Sequence, residues 1–332
     1  MKVLITGAAG SLGRRLVEKL SSDSRFELFA TDIKTDPFLV TKTLDNNLNY
    51  FQSDLTDQKF DQWVRDVKPN KVIHLASILQ LSPKMTRDRA YTIDVLATKS
   101  LIQTSVDIGV DKLIVTSSGA AYGYYPENKN IITEQREPKG NQDYFYSAHK
   151  AEVEGILASY RKEQPQLKQI VFRPGAILGP DFEGPILDLF NQTIITGLIG
   201  YPGPFNFIWS EDVVDFMIEG VVSDITGEFN IAGDGSLTMA EIAKKLNKPY
   251  LSLPAPLIQL ALAIAKPLGL TQFGPEQVKF IKYRPVLSND KIKQQFQHQP
   301  RYSSAEVLEH YLSYKNIDSK RTDLTEKEVS SD

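Results

Sequence analysis

At 332 residues the chain is long for one compact core and suits a large domain with a smaller companion. With 41% hydrophobic and 24% charged residues it has the composition of an ordinary soluble globular protein, and a formal net charge of -3 argues against a general nucleic-acid surface, which needs a basic excess. The absence of cysteine excludes disulfides and thiolate chemistry and fits a reducing compartment.

In chain order, the opening run Met1 to Thr6 is too short for a secretory signal and turns at once into glycine, so a cytoplasmic location is expected. The pattern predicts a strand over Lys2–Thr6 and a helix over Ser11–Leu20, with Leu12, Leu16, Val17 and Leu20 on one face. Strands follow over Phe26–Thr31 and Asn49–Gln52, then a helix over Asp57–Val67 and a strand over Lys71–Leu75. A long helix spans Thr86–Gly109 and stops at glycine; Lys112–Ser117 is a strand, Asp143–Lys162 a second long helix and Gln169–Phe172 a further strand. This alternation is that of an α/β fold, a doubly wound parallel sheet of Rossmann type, in which ligands bind outside the carboxyl ends of the strands.

Beyond residue 175 the rhythm breaks. Gly and Pro cluster in Gly175–Pro185 and Gly200–Pro204, followed by a short element at Phe205–Ile208, a helix over Glu211–Val222 and a strand over Glu228–Ile231. The expected division is a nucleotide-binding domain over 1–174, with returning segments from about 205 to 231; a smaller substrate-binding domain over 175–314; and a polar, disordered tail over 315–332. The strongest apolar stretch, Leu257–Ala265, is too short to span a bilayer and is expected as a buried helix, with an interfacial helix as the alternative. No internal repeat is seen.

The first strand runs into Thr6-Gly7-Ala8-Ala9-Gly10-Ser11-Leu12-Gly13. Glycines at 7, 10 and 13 allow a tight turn, close approach to a pyrophosphate and close helix–strand packing, and the amides that open the next helix point at the phosphates. Asp32 closes the second strand, where a carboxylate accepts from adenosine ribose hydroxyls and repels a 2′-phosphate, so the expected cofactor is NAD; Lys34 nearby softens that discrimination. Asp54, in Ser53-Asp54-Leu55, is placed to reach the adenine; its alternative is the start of the following helix.

Tyr146-Ser147-Ala148-His149-Lys150 places a tyrosine and a lysine one helical turn apart on one face. A neighbouring cation favours the phenolate, making Tyr146 a candidate general base toward a substrate hydroxyl. His149 reads as a helix-face residue, and with four histidines and no cysteine no metal-ligand constellation is seen.

The Gly-x-x-Gly-x-x-Gly spacing, together with His74-Leu75-Ala76-Ser77 after the fourth strand, resembles the extended short-chain dehydrogenase/reductase family, which includes the nucleotide-sugar epimerases and dehydratases; the resemblance covers roughly residues 1–315. It implies that Leu55, Leu75, Ala76 and Ser77 line the cofactor with Gly7, Gly10, Ser11, Leu12, Gly13, Asp32 and Asp54, and that Lys150 and Arg173, in Arg173-Pro174-Gly175, contact it. Ser118, four residues before Tyr122-Gly123, matches the family's catalytic Ser or Thr, giving the set Ser118, Tyr146, Lys150; Ser117 is its structural alternative. The Asp-Glu pair of the sugar dehydratases is replaced by Gly119 and Ala120, so that mechanism lacks its acid. In Phe207-Ile208-Trp209-Ser210-Glu211-Asp212-Val213, Trp209 stands where the family has His. Arg284 matches a phosphate-binding Arg, while the place of a second such Arg holds Phe205. The resemblance further implies pairing of the two long helices across a two-fold axis into a homodimer.

The reading that follows is an NAD-dependent epimerase-type oxidoreductase acting on a sugar, with a nucleotide-linked sugar left open. Two alternatives stand beside it. One is an NAD-dependent alcohol dehydrogenase or ketone reductase on a smaller or apolar substrate, and the other a non-catalytic NAD-sensing binding protein.

Overall fold

The computed structural model describes residues 1–42, 48–182, 184–271 and 274–315; residues 316–332 of the expected tail lie outside them. In chain order the first half comprises β1 (Lys2–Thr6), α1 (Ser11–Ser21), β2 (Glu27–Asp32), α2 (Pro37–Lys42), β3 (Leu48–Gln52), α3 (Gln58–Val67), β4 (Lys71–His74), α4 (Arg87–Tyr91), α5 (Ala97–Asp107), β5 (Lys112–Thr116), α6 (Phe145–Glu163) and β6 (Lys168–Pro174). The second half adds β7 (Ala176–Leu178), α7 (Pro185–Asn191), β8 (Ile195–Leu198), β9 (Phe207–Trp209), α8 (Ser210–Val222), β10 (Gly227–Ile231), α9 (Met239–Lys245), β11 (Tyr250–Leu253), α10 (Ala255–Ala265), α11 (Val278–Lys282) and α12 (Asp290–Gln295), and a last helix runs through 304–315.

Seven parallel strands form the main sheet in the order β10-β6-β5-β4-β1-β2-β3. Both faces are covered, which is why β1 reads as an unbroken apolar run: Val3 and Ile5 join the core beneath α1 and α8, and Leu4 joins the core beneath α3, α5 and α6. After β3 the chain returns to lay β4 on the other side of β1, so connections leave β1 and β4 in opposite directions and open a crevice at their carboxyl ends.

The helix expected over Thr86–Gly109 is not uniform. A π-helical turn, Thr92–Leu96, separates α4 from α5. Its wider winding holds Asp94 inward, 5% exposed, where a regular helix pattern gives no sign of a buried carboxylate. Thr98 Oγ donates to the Asp94 carbonyl at 2.7 Å inside this turn.

The second half builds its own core around Phe205, Phe207, Trp209, Ile195 and Met239 and carries two small parallel pairs, β7 with β9 and β8 with β11. The expectation of a buried helix at Leu257–Ala265 is corrected. In α10 only Ala255 is buried, and Leu257, Leu260 and Ile264 are 51%, 59% and 56% exposed. The helix packs through Ala255, Ile258 and Leu262 onto Leu198 and Val278, so hydrophobic composition did not translate into burial. No helix among the described residues is long and apolar enough to cross a membrane.

Candidate active site

The turn between β1 and α1 closes on itself through backbone. Gly7 has φ +70°, and a Cβ there would stand 2.7 Å from the Ala76 amide nitrogen; a Cβ on Gly13 would stand 2.3 Å from the Gly7 carbonyl oxygen. Gly10 donates to that same carbonyl at 3.1 Å and caps α1 in an extended conformation. The amides of Ser11, Leu12 and Gly13 therefore open α1 without helical acceptors, the arrangement that receives an anion. Gly10 is itself exposed, and a Cβ there would meet only the Gly7 carbonyl oxygen, at 3.2 Å. Ser11 Oγ donates to the Asp181 carbonyl at 2.7 Å, tying the loop after β7 over the helix start. Leu12 packs on the core of that face.

Asp32 binds the turn to β2. Its two oxygens accept from the Ala9 and Lys34 amides, both at 3.0 Å. Asp54 is not a helix cap, since Asp57 holds that position for α3. It accepts from Thr56 through both N (2.9 Å) and Oγ (2.7 Å) and pairs with Arg89, while Leu55 packs on the core below. After β4, Leu75 donates to the Thr6 carbonyl at 3.2 Å, and the Ser77 hydroxyl is sealed from solvent with no partner among the described residues. The glycine cradle and this unpaired hydroxyl fit a dinucleotide lying across β1 and β4. His74 is committed elsewhere: its ring bridges Thr6 Oγ (2.7 Å) and Thr98 Oγ (2.8 Å), and burial, aided by Lys150, pulls its pKa down to about 3.

The catalytic candidates meet at the ends of β5 and α6. Ser118 caps the 3-10 turn Gly119–Tyr122, accepting from the Ala120 amide at 3.1 Å, and hydrogen-bonds Tyr146. Tyr146 lies in the first turn of α6 with Lys150 one turn on. Lys150 Nζ lies 5.7 Å from the phenol ring centroid and donates to the Thr116 carbonyl at 2.8 Å. Burial pushes the Tyr146 phenol up, opposed by the Ser118 hydrogen bond; burial pulls Lys150 down, opposed by Asp94 and Glu154.

These two carboxylates were not singled out in the sequence. Asp94 accepts from the Ile78 amide at 2.8 Å and meets His149 Nδ1 at 2.9 Å, so it fastens the loop after β4 to α6. Glu154 continues the Tyr146–Lys150 stripe by one more turn and binds Arg173, with Nε–Oε2 at 2.8 Å and both side chains 4% exposed. Here the reading of Arg173 as a cofactor contact is corrected. Its guanidinium is directed into the protein, with Nη1 donating to the Tyr122 hydroxyl at 2.8 Å, because β6 lies inside the sheet and Glu154 faces it from α6. Ser117 donates to the same Glu154, the structural place expected of it.

The opposite wall is aromatic. Tyr144 and Tyr124 pack on Phe280 with centroids 4.5 and 4.6 Å apart, and Tyr144 reaches Tyr146 at 6.1 Å. Arg284 lies 3.8 Å from the Phe205 ring centroid, and no ion pair to it is formed among the described residues. Its Nε is buried and unpartnered, and burial lowers its pKa. Phe205 thus holds the surviving arginine. Trp209 turns into the second core against His310, centroids 4.5 Å apart, and takes no part in the crevice. Gly119 lies against Leu287, to which a Cβ would approach within 3.0 Å, so neither it nor Ala120 offers an acid. Among the described residues no group of three or more His, Cys, Asp or Glu is arranged to hold a metal ion.

A family model described as "NAD dependent epimerase/dehydratase family" matches residues 3–232. The chain belongs to that family. It is an NAD-dependent enzyme of the extended short-chain dehydrogenase/reductase type, and NAD is its cofactor. Among its relatives, sterol demethylase protein B of Methylococcus capsulatus is 26% identical over 304 residues, covering 86% of this chain and 87% of that protein. UDP-glucose 4-epimerase of Mycolicibacterium smegmatis is 25% identical over 236 residues, covering 66% and 72%. The fold is that of the UDP-glucose 4-epimerase of Thermotoga maritima, solved with UDP-glucose, at a TM-score of 0.74, 20% identity and coverage of 96% and 99%.

Proposed function

We propose that this enzyme acts on a secondary alcohol of a sugar by transient oxidation, an epimerase-type reaction, with Ser118, Tyr146 and Lys150 as the catalytic set. The observation that carries the reading is the Tyr146 phenol set between Ser118 and Lys150 with, among the described residues, no free carboxylate beside it. Asp94 and Glu154, the carboxylates behind the site, are engaged by His149 and the Ile78 amide and by Arg173 and Ser117. Such a site removes and returns a hydroxyl proton and lacks the acid that would expel a leaving hydroxyl. Ser118 holds the reacting oxygen and Tyr146 takes its proton; burial disfavours the phenolate and the Ser118 hydrogen bond opposes that effect, while the Lys150 ammonium, 5.7 Å from the phenol ring centroid, is the cation proposed to favour it further. NAD, when bound, supplies the acceptor for hydride and gives it back. Gly7, Gly10, Gly13, Ser11, Leu12, Asp32, Asp54, Leu55, Leu75, Ala76 and Ser77 are the residues proposed to hold it. Arg284 is proposed to meet the anionic part of the substrate; the UDP-glucose of the structural neighbour motivates a nucleotide-linked sugar.

The aromatic wall of Tyr124, Tyr144 and Phe280 favours a second reading, net dehydrogenation of an apolar alcohol, in line with the near full-length similarity to the sterol demethylase protein. One experiment separates the two. The purified protein is denatured and its released nucleotide identified, then turnover is followed by absorbance of reduced cofactor. Tightly held NAD with sugar epimerisation and no net reduction supports the first reading; net reduction of added NAD by an apolar alcohol replaces it with the second. We further propose a homodimer paired through α5 and α6, which a monomeric mass in solution would reject, and a cytoplasmic location.

A further inference from the structure

We propose that the face formed by α10 and the turn after it docks on the surface of an anionic phospholipid bilayer. Between Ala255 and Ala265 the only polar side chain is Gln259. A helix attached to a globular body ordinarily turns its apolar stripe inward. Here the inward contacts are made by Ala255, Ile258 and Leu262, while Leu257, Leu260 and Ile264, spaced to share one face, stand 51%, 59% and 56% exposed. The turn that follows adds Leu268 at 66% and Leu270 at 76%, and Ile199, whose amide donates to the Leu253 carbonyl at 3.0 Å just before α10, adds another 59%. Contiguous exposed apolar residues of this size mark an interaction surface.

Charge selects the occupant. In a chain of net charge -3, residues 242–282 carry Lys244, Lys245, Lys248, Lys266, Lys279 and Lys282 against a single carboxylate, Glu276. Lys266 closes α10, Lys248 stands just before the exposed Tyr250 and Leu251, and Lys282 lies 5.0 Å from the ring centroid of Tyr201, which packs with Ile258 and Leu262 at the base of the helix. Lys266, Lys279 and Lys245 are paired with Glu276, Asp143 and Glu309, and Lys248 donates to the Phe190 and Gln192 carbonyls, which leave its charge in place; with Lys244 and Lys282 the segment still bears an excess of positive charge. An apolar face fringed by lysines is complementary to anionic headgroups over an acyl layer. A second copy on a two-fold axis would set the same lysines against one another. The helix has 11 residues, roughly 16 Å at 1.5 Å per residue, about half a hydrocarbon core. It therefore lies in the interface and does not span it. Its neighbours in the fold bring the crevice close to that surface: α10 packs against α11, which carries Phe280 of the aromatic wall. The inference stands on the exposed face and its charge, whichever alcohol the enzyme oxidises.

The test is co-sedimentation of the full NAD-loaded chain with vesicles of phosphatidylcholine, with and without phosphatidylglycerol. The expected result is pelleting with the anionic vesicles and binding roughly tenfold or more weaker without them, since each lysine near such a surface contributes about 1 kcal/mol. Raised salt weakens the binding. A Leu257→Ser, Leu260→Ser, Ile264→Ser variant stays in the supernatant with its thermal midpoint and NAD content unchanged, because these side chains support little of the fold. Three results overturn the proposal: wild-type chain left in the supernatant with anionic vesicles, a variant that pellets like wild type, or a concentration-dependent dimer that the same substitutions dissolve, which would make a second copy the occupant.

Discussion

Lys150 and Arg284 are cations on opposite walls of one crevice, and burial lowers both from their ordinary values, yet their surroundings differ in kind. Behind Lys150 the protein supplies its own anions: Asp94 and Glu154 oppose the effect of burial, and each is in turn held by backbone or side-chain donors. Arg284 has aromatic faces and no carboxylate among the described residues. The first wall is electrostatically complete before substrate arrives and holds a base in position. The second is left short of an anion, which a ligand can supply. Preorganised charge suits chemistry, and an unsatisfied guanidinium suits recognition.

The largest effect is expected at the complete wall. Tyr146→Phe should lower kcat by about 10²–10⁴-fold, the usual contribution of a general base, with NAD content unchanged; normal turnover in the variant would sink the mechanism. Next, Glu154→Gln leaves the Arg173 guanidinium buried beside a neutral amide. A loss of about 3–5 kcal/mol in urea unfolding is expected, with much of it recovered when Arg173→Met is added. A loss under 1 kcal/mol in the single variant would show that Tyr122 alone satisfies the arginine.

The open wall should respond in KM. Arg284→Met is expected to raise KM about 10–100-fold, as for a lost charge-assisted hydrogen bond, with kcat and folding stability little changed. A variant that loses stability but binds substrate normally would assign Arg284 to the fold. The smallest effect concerns His74. Its folded pKa, about 3, lies below its ordinary 6.5, so the unfolded chain binds the proton more readily. Its contribution is complete above pH 6.5 and is lost as pH falls toward 3, about 2 kcal/mol by pH 5. His74→Asn should flatten that part of the stability curve; an unchanged slope would place the titration elsewhere.

Much of the framework was legible because it rests on local rules. The glycine turn and the Tyr-x-x-x-Lys pair need only short-range geometry, and β1 to β6 announced themselves as apolar runs between helical patterns. Misread were residues whose role depends on what lies opposite. Arg173 follows a strand like a ligand contact, and only the packing of α6 on β6 shows Glu154 waiting for it. Asp94 was not singled out at all, because only the π-helical turn carries it inward. Leu257–Ala265 looked like core.

By itself, then, the sequence determined the strand and helix order, the nucleotide turn and the catalytic spacing, since backbone sterics and side-chain periodicity act within a few residues. The tertiary structure alone decided which charges pair, which arginine stays free and which apolar helix remains at the surface. Burial and ion pairing are properties of surfaces brought together from distant parts of the chain, and no local pattern records the partner.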